Sequence, residues 1–420
     1  MSAVRPPQAP VSSSELNGAP SLDIYLYDAV RTPRGKAKSS GALASHTPHA
    51  LVGKLIDALG ARNGRDEVAR AASLILGSVG QVGAQGGHLA LVSRLHADLP
   101  ASMRALTINN FCVSGLTAIR IAADEARSAG DDRLRLAGGV EMMSRVPFMG
   151  DQAFYYADPE TARALRYVPV ALSADLMATR EGFQKADLDT VTARSHQRAA
   201  AAFERGRLEE IVPVASAEVV LDHDEPVRPD TTVETLAKME PAFTGLGATG
   251  FDALMLENRP EVSEIRHVHS AANCPPPCDG AALALIGSKA AGEAAGLKPK
   301  ARILAISEVT GDPVLQLTSG FDAMDALLSQ SGLSLSDFDR IEFMEAFAAP
   351  PLKFERDYAP DMDRVNPEGG HLAMGHPMGA SGAILAATAL SGLARQDGAL
   401  GLVVTHGGSG VGAAMAIERL

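Results

Sequence analysis

The chain has 420 residues, 46% hydrophobic and 21% charged, which supplies a large core and excludes a mainly disordered chain. A net charge of −12 argues against a nucleic-acid partner, and three cysteines cannot close a full disulfide framework, which points to a reducing, cytoplasmic setting. No run of ~18 or more apolar residues predicts a membrane span, and with 4% aromatics, no Trp and 40 glycines the core must be aliphatic with close backbone approaches.

Residues 1–22 are rich in Pro and Ser and lack the apolar stretch of a signal peptide, so they read as a flexible N-terminal extension. A strand is predicted over residues 23–30, stopped by Arg31-Thr32-Pro33-Arg34-Gly35. Helical periodicity follows over 48–59, then an apolar strand over 72–77. Residues 108–112 read as a strand running into a helix over 114–128, and 134–137 as a strand closed by Gly138-Gly139. From 149 to about 268 charge rises and helical stretches dominate, among them 194–205, so this region reads as a large insertion. Regular β/α alternation resumes near His267 and runs to the C-terminus.

An internal echo is present. Cys112-Val-Ser114-Gly115 opens a helix that leads to paired glycines after a strand. Gly379-Ala-Ser381-Gly382 does the same, leading to Gly407-Gly408 after a strand over 401–405. Residues 301–311 resemble a second copy of the first strand. The expectation is a duplicated α/β body with a site at its pseudo-twofold seam.

Three groups at these junctions could carry chemistry. Cys112 stands at a predicted helix N-terminus, where the positive end of the dipole favours the thiolate; a buried inert cysteine is the bland alternative. His376 sits in the turn Gly375-His376-Pro377 before the second helix, and a Cys–His pair in one pocket is the minimum for an activated thiol. His371, in the same stretch, reads as a turn residue without a role. The glycine turn after His406 can offer backbone N–H groups to an oxyanion, although a structural turn would use the same residues.

Asn109-Asn110-Phe111-Cys112-Val-Ser114-Gly115, Glu345-Ala346-Phe347, Asn366-Pro367 through Gly375-His376-Pro377, and the stretch from Gly408 to Arg419 resemble the thiolase family in order and spacing. Arg31-Thr32-Pro33, Glu141-Met-Met-Ser144 and Asp279-Gly280-Ala-Ala are similar to further thiolase segments, so the resemblance covers about residues 23–420. It implies an α/β fold of duplicated βαβαβαββ halves in an αβαβα layering. Residues 23–148 and 269–300 would form the N-terminal half, 301–420 the C-terminal half, and 149–268 an inserted loop domain covering coenzyme A. It implies a homodimer or homotetramer acting on acyl-CoA thioesters, with coenzyme A as substrate and no permanently bound cofactor. The reaction would be thiolytic cleavage of a 3-ketoacyl-CoA or the reverse Claisen condensation. Carried over residue by residue, Cys112 is the acyl-accepting nucleophile and His376 activates it. The N–H groups of Cys112 and Gly408 form the oxyanion hole.

The sequence departs from that pattern in three places. His406 stands where the family usually has a second catalytic cysteine, and an imidazole can transfer protons near neutral pH. Met344 replaces the Asn or His that orients a water, a task a thioether performs poorly. Asn273-Cys274-Pro275-Pro276-Pro277-Cys278 replaces a small Ser/Gly loop beside pantetheine, making Pro275 an atypical site position. His267, His269, Cys274 and Cys278 could be weighed as a zinc set, but His-Val-His here also resembles thiolases without metal, so no metal is expected. Met344 and His406 leave two other readings open: an acyltransferase or decarboxylative condensing enzyme using the same acyl-Cys112, and a non-catalytic thiolase-like subunit.

Overall fold

A computed structural model describes residues 23–206, 208–216 and 219–420; the expected N-terminal extension lies outside the described residues. The strands in chain order are β1 (Ile24–Arg31), β2 (Gly35–Lys36), β3 (Ser73–Gly77), β4 (Arg104–Ile108), β5 (Arg135–Met142), β6 (Val214–Ala215), β7 (Val220–Leu221), β8 (Cys278–Ser288), β9 (Ala301–Thr310), β10 (Arg340–Phe343), β11 (Leu400–Gly407) and β12 (Val411–Arg419). The helices that build the layers are α1 (Pro48–Asn63), α2 (Leu89–His96), α3 (Ser114–Ala129), α4 (Ser319–Ser331) and α5 (Ser381–Arg395).

Strand order shows the duplication directly. The sheet runs β10-β11-β12-β9-β1-β8-β5-β3-β4, with β2 paired to β8. Outward from β1 the neighbours are β8, β5, β3 and β4, with antiparallel, antiparallel, parallel and parallel pairings. Outward from β9 they are β12, β11 and β10, antiparallel, antiparallel and parallel. At the seam β1 and β9 pair antiparallel through Ile24 with Ile303, Tyr25 with Arg302 and Leu26 with Ala301. An antiparallel seam is what a twofold relation between the halves requires.

The layers follow from which face of each strand is apolar. One cluster joins Leu51, Leu55 and Leu59 of α1 to Leu74, Leu76, Leu283 and Leu285 on the outer face of the first half. Another joins Phe321, Met324 and Leu327 of α4 to Phe343, Leu402 and Val404 on the outer face of the second. Between the sheets, Leu116 and Ile119 of α3 meet Ala383, Ile384 and Leu385 of α5. The two middle helices approach so closely that a Cβ on Gly115 would stand 2.8 Å from the Ala383 nitrogen, and one on Gly382 would stand 2.7 Å from the Leu116 nitrogen. These glycines are the paired positions of the sequence echo.

Several element limits differ from the sequence reading. The glycines Gly138-Gly139 do not close β5, which continues to Met142. A Cβ on Gly138 would collide with the Ala282 carbonyl of β8, so the residue is small because a strand passes there, not because the chain turns. The strand expected up to Cys112 stops at Ile108. The helix read over 194–205 starts earlier, at Lys185, under a capping box of Gln184 and Asp187, and ends at Glu204. This helix and the one over Val170–Glu181 belong to the long run between β5 and β8. Asp224 in that run is buried and ties it to the body, accepting from both Arg31 guanidinium nitrogens at 2.8 and 3.0 Å and from the Arg34 N–H at 2.8 Å. Burial opposes ionisation of Asp224, but Arg31 and Arg34 outweigh it and hold the carboxyl below its usual range.

Candidate active site

Cys112 is placed by a short side-chain network between β4 and α3. Asn109 Oδ1 accepts the Phe111 N–H at 2.9 Å, and Phe111 adopts a positive φ of 47°. Ser114 Oγ accepts the Asn110 N–H at 2.8 Å and donates to the Phe111 carbonyl at 2.6 Å. Such local side-chain bonds offer the backbone an alternative to the ladder, which is why the strand ends before the cysteine.

Gly407 and Gly408 come from the other half of the molecule. A Cβ on Gly407 would lie 3.1 Å from the Cys112 nitrogen, and the Gly408 N–H is directed at the Cys112 sulfur. Burial pushes the Cys112 thiol up to about 12, with Glu141 adding to the rise and the N–H groups of Gly408 and Cys112 opposing it. The expectation of a depressed thiol is therefore overturned at rest: desolvation exceeds the pull of the helix end and of the two donors. Those donors are the pair expected to hold an oxyanion.

Behind the glycine turn lies a residue that the motifs did not single out. Gln316 is buried, and its Oε1 accepts the Ser409 N–H at 2.7 Å. Its amide donates to the Val168 carbonyl at 2.7 Å and to Ser173 Oγ at 2.6 Å. One side chain thus joins the Gly408 turn to the run between β5 and β8. Glu141 is a second such residue, accepting from the N–H groups of Val79, Gly80 and Gly379 and from the Gln85 amide. Nothing local in the sequence marks either role, because every partner is remote in the chain.

His376 and His406 sit in the interior beside this centre. His376 Nδ1 bonds Ser381 Oγ at 2.8 Å, while its Nε2 is buried without a partner. Two residues on, Met378 packs with Phe111 and Cys112. Burial and, secondarily, Arg34 drive His376 down to about 3; burial and the neighbouring His376 drive His406 to about 3. Both imidazoles are neutral at pH 7. His406 has both ring nitrogens buried and unpartnered, with its ring 5.6 Å from Phe343. His371, read as a turn residue, is wholly buried in edge-to-face contact with His376 at 5.1 Å.

The structure brings Cys112 and Gly408 together in one open cleft that also meets Phe111, Tyr156, Gln316 and Met378. His376 and His406 do not line it among the described residues. Met344 is buried in the middle-layer core, its N–H bonded to the Val404 carbonyl. The adjacent Glu345 carries the polar role of that segment, accepting from Ser195 Oγ, the Asn366 amide and the Leu372 N–H. The proline loop backs the His376 turn: the Pro276 carbonyl accepts the His376 N–H at 3.2 Å, beside the partly buried Pro275.

The four residues weighed as a zinc set do not converge as ligands among the described residues. His267 and His269 turn their Nδ1 atoms to opposite oxygens of buried Asp175, at 2.9 and 2.7 Å. Cys278 is buried against Gly375, and Cys274 Sγ donates to the Ser270 carbonyl. Among the described residues, no group of three or more His, Cys, Asp or Glu could hold a metal ion.

Comparison with known proteins agrees with this architecture. The thiolase N-terminal domain family matches residues 24–250 and the thiolase C-terminal domain family matches 297–419. A beta-ketoadipyl-CoA thiolase of Pseudomonas aeruginosa is 35% identical over 423 residues, covering 95% of this chain and 100% of the relative. A 3-ketoacyl-CoA thiolase of Serratia proteamaculans is 33% identical, with 95% of this chain and 100% of the relative covered. The crystal structure of the Bacillus anthracis acetyl-CoA acetyltransferase superposes with a TM-score of 0.80 at 28% identity, covering 94% of this chain and 98% of that one. The chain belongs to the thiolase family and is an acyltransferase that uses coenzyme A thioesters as substrates.

Proposed function

We propose that the protein cleaves a 3-ketoacyl-CoA with coenzyme A, or runs the reverse condensation, through an acyl-enzyme on Cys112, with His406 in place of the usual second cysteine. The observation that carries this reading is the Gly408 N–H aimed at the Cys112 sulfur from the opposite half. In cleavage, the Cys112 sulfur attacks the 3-keto carbon while its proton passes to His376 Nε2, the ring nitrogen left without a partner. The resulting oxyanion is held by the N–H groups of Cys112 and Gly408. Collapse breaks the bond between the second and third carbons, leaving the acyl group on sulfur. The electron pair stays on the second carbon, which takes a proton and departs as acetyl-CoA. Coenzyme A then loses its thiol proton, attacks the acyl-enzyme and regenerates Cys112.

His406 is the base and acid for the second carbon. Its unpartnered nitrogens and its coupling to His376 support that role. Because both imidazoles are neutral at pH 7, they are ready to accept protons, and the raised thiol supplies one only as its bond to carbon forms. Met344 favours a second reading, acyl transfer from the same acyl-Cys112 without a CoA-linked carbanion, because its thioether cannot orient water.

Residues 149–268 would cover coenzyme A as an inserted domain. A homodimer or homotetramer is supported by the edge strand β4, where Leu106 is exposed near exposed Val92 and Leu95 of α2. No helix among the described residues is long and apolar enough to cross a membrane. The three free thiols suit a cytoplasmic setting.

The test is paired. Thiolysis of acetoacetyl-CoA and longer 3-ketoacyl-CoA is measured beside deuterium exchange from solvent into the second carbon of acetyl-CoA. We expect both activities, a loss of exchange of ~10²-fold or more in His406→Ala, and recovery in His406→Cys. Thiolysis with exchange untouched by His406→Ala removes His406 from proton transfer; absence of both activities rejects the thiolase reaction.

A further inference from the structure

The cleft over Cys112 has an unusual composition for this chain. Three of the six tyrosines, Tyr155, Tyr156 and Tyr167, line it together with Phe111 and Phe148. In a sequence with 4% aromatics and no Trp, that concentration cannot be attributed to general core filling. The rings also leave faces and edges open to a ligand. Tyr155 meets Tyr156 at 4.7 Å and Tyr167 at 4.9 Å, with interplanar angles of 70° and 82°. Phe148 is 52% exposed beside them and Phe154 is 73% exposed.

Charge in the cleft is as informative as aromaticity. Among the described lining residues there is no Lys, Arg or His; the charged side chain that reaches it is Asp151, which accepts the Tyr156 hydroxyl at 3.3 Å. Tyr156 also borders an adjoining cavity lined by Ala162, Phe251 and Leu254 together with Asp158 and Arg163, the latter paired with Glu257. An acyl chain that leaves Cys112 through this cleft therefore passes aromatic rings without meeting a cation, and Arg163 in the adjoining cavity is already held by Glu257. A tail ending in a carboxylate would give up its water, gain no unpaired counter-ion and stand near Asp151 as a like charge. A ring would instead find edge-to-face partners on both sides.

We infer that the acyl group this protein takes is uncharged and ring-bearing, in contrast to the 3-oxoadipyl group, which ends in a carboxylate and gives several relatives their names. The inference rests on Cys112 being the acyl acceptor and specifies what that acyl group is. Tyr156, between the two cavities, and Asp151 beside it are the specificity-determining residues.

The experiment compares three substrates that differ only at the far end of one chain. These are 3-oxo-5-phenylpentanoyl-CoA, 3-oxoadipyl-CoA and 3-oxohexanoyl-CoA, carrying a phenyl ring, a carboxylate and a methyl group on the same 3-oxo acyl stem. Thiolysis by the full chain is followed as kcat/KM, and the adduct on Cys112 is followed by intact mass. The phenyl substrate should exceed both others by about tenfold or more. Tyr156→Leu should lower the phenyl-to-methyl ratio, and Asp151→Lys should raise the carboxylate-to-methyl ratio. Ratios within each variant are independent of how much of it folds. Equal or better use of 3-oxoadipyl-CoA by the unaltered chain, or no difference between phenyl and methyl, overturns the inference while leaving the acyl-enzyme intact. No adduct from any of the three overturns the acyl-enzyme reading and this inference with it.

Discussion

Cys112 and its neighbouring histidines are displaced in opposite directions by the same interior. Burial raises the thiol to about 12 and lowers His376 and His406 to about 3, because each charged form loses its hydration. At rest the cysteine is a neutral thiol and both imidazoles are neutral. Alkylation of Cys112 by iodoacetamide should consequently be slow at pH 7. It should rise about tenfold per pH unit through pH 9 without a plateau, since the thiolate stays a minority species below a raised pKa. A plateau near pH 6 to 7 would show a depressed thiol instead. At this scale the sequence singled out Cys112, His376 and Gly408 from neighbouring glycines, and the cleft contains Cys112 and Gly408 but not His376. The direction of the Cys112 shift was not legible, because the helix end is visible in a sequence and the depth of burial is not. Gln316 and the bridging role of Glu141 were invisible for a related reason, since their partners arrive from segments far along the chain.

Helix α3 and helix α5 meet at Gly115 and Gly382, and this contact sets how closely the two strand-to-helix junctions approach. A side chain on Gly382 has the Leu116 nitrogen at 2.7 Å and the Leu116 Cβ at 2.8 Å in its way, with backbone that cannot swing aside. Gly382→Val should therefore destabilise the fold by roughly 1–3 kcal/mol, and by more if the helices cannot part. Urea unfolding monitored by circular dichroism checks this; an unchanged midpoint would mean the helices are separable without cost. Gly138 marks the limit of reading elements from composition. A glycine pair at the end of an apolar run looks like a turn, yet β8 passes so close to Gly138 that the strand itself requires it. Strand existence was legible from the apolar runs, whereas strand ends depended on neighbours across the sheet.

The molecule as a whole brings Cys112 and Gly408 together at a seam. Cys112 leaves the first half at the junction of β4 and α3, Gly408 leaves the second half after β11, and neither half alone holds both. The repeated order of strands outward from β1 and β9 explains why two similar junctions face one another. That duplication was detectable in the sequence from the two Ser-Gly helix starts, while the cleft above the seam was not. Its tyrosines come from a run whose spacing has no regular period. The proposed acyl-enzyme on Cys112, stabilised by a donor from the opposite half, is the part of the account most open to direct measurement. The full chain is incubated with a 3-ketoacyl-CoA in the absence of free coenzyme A, quenched in acid and weighed as intact protein. The expected result is one added acyl mass, mapped to the peptide holding Cys112 and absent in Cys112→Ala. An unmodified mass, or an adduct that survives Cys112→Ala, would contradict it.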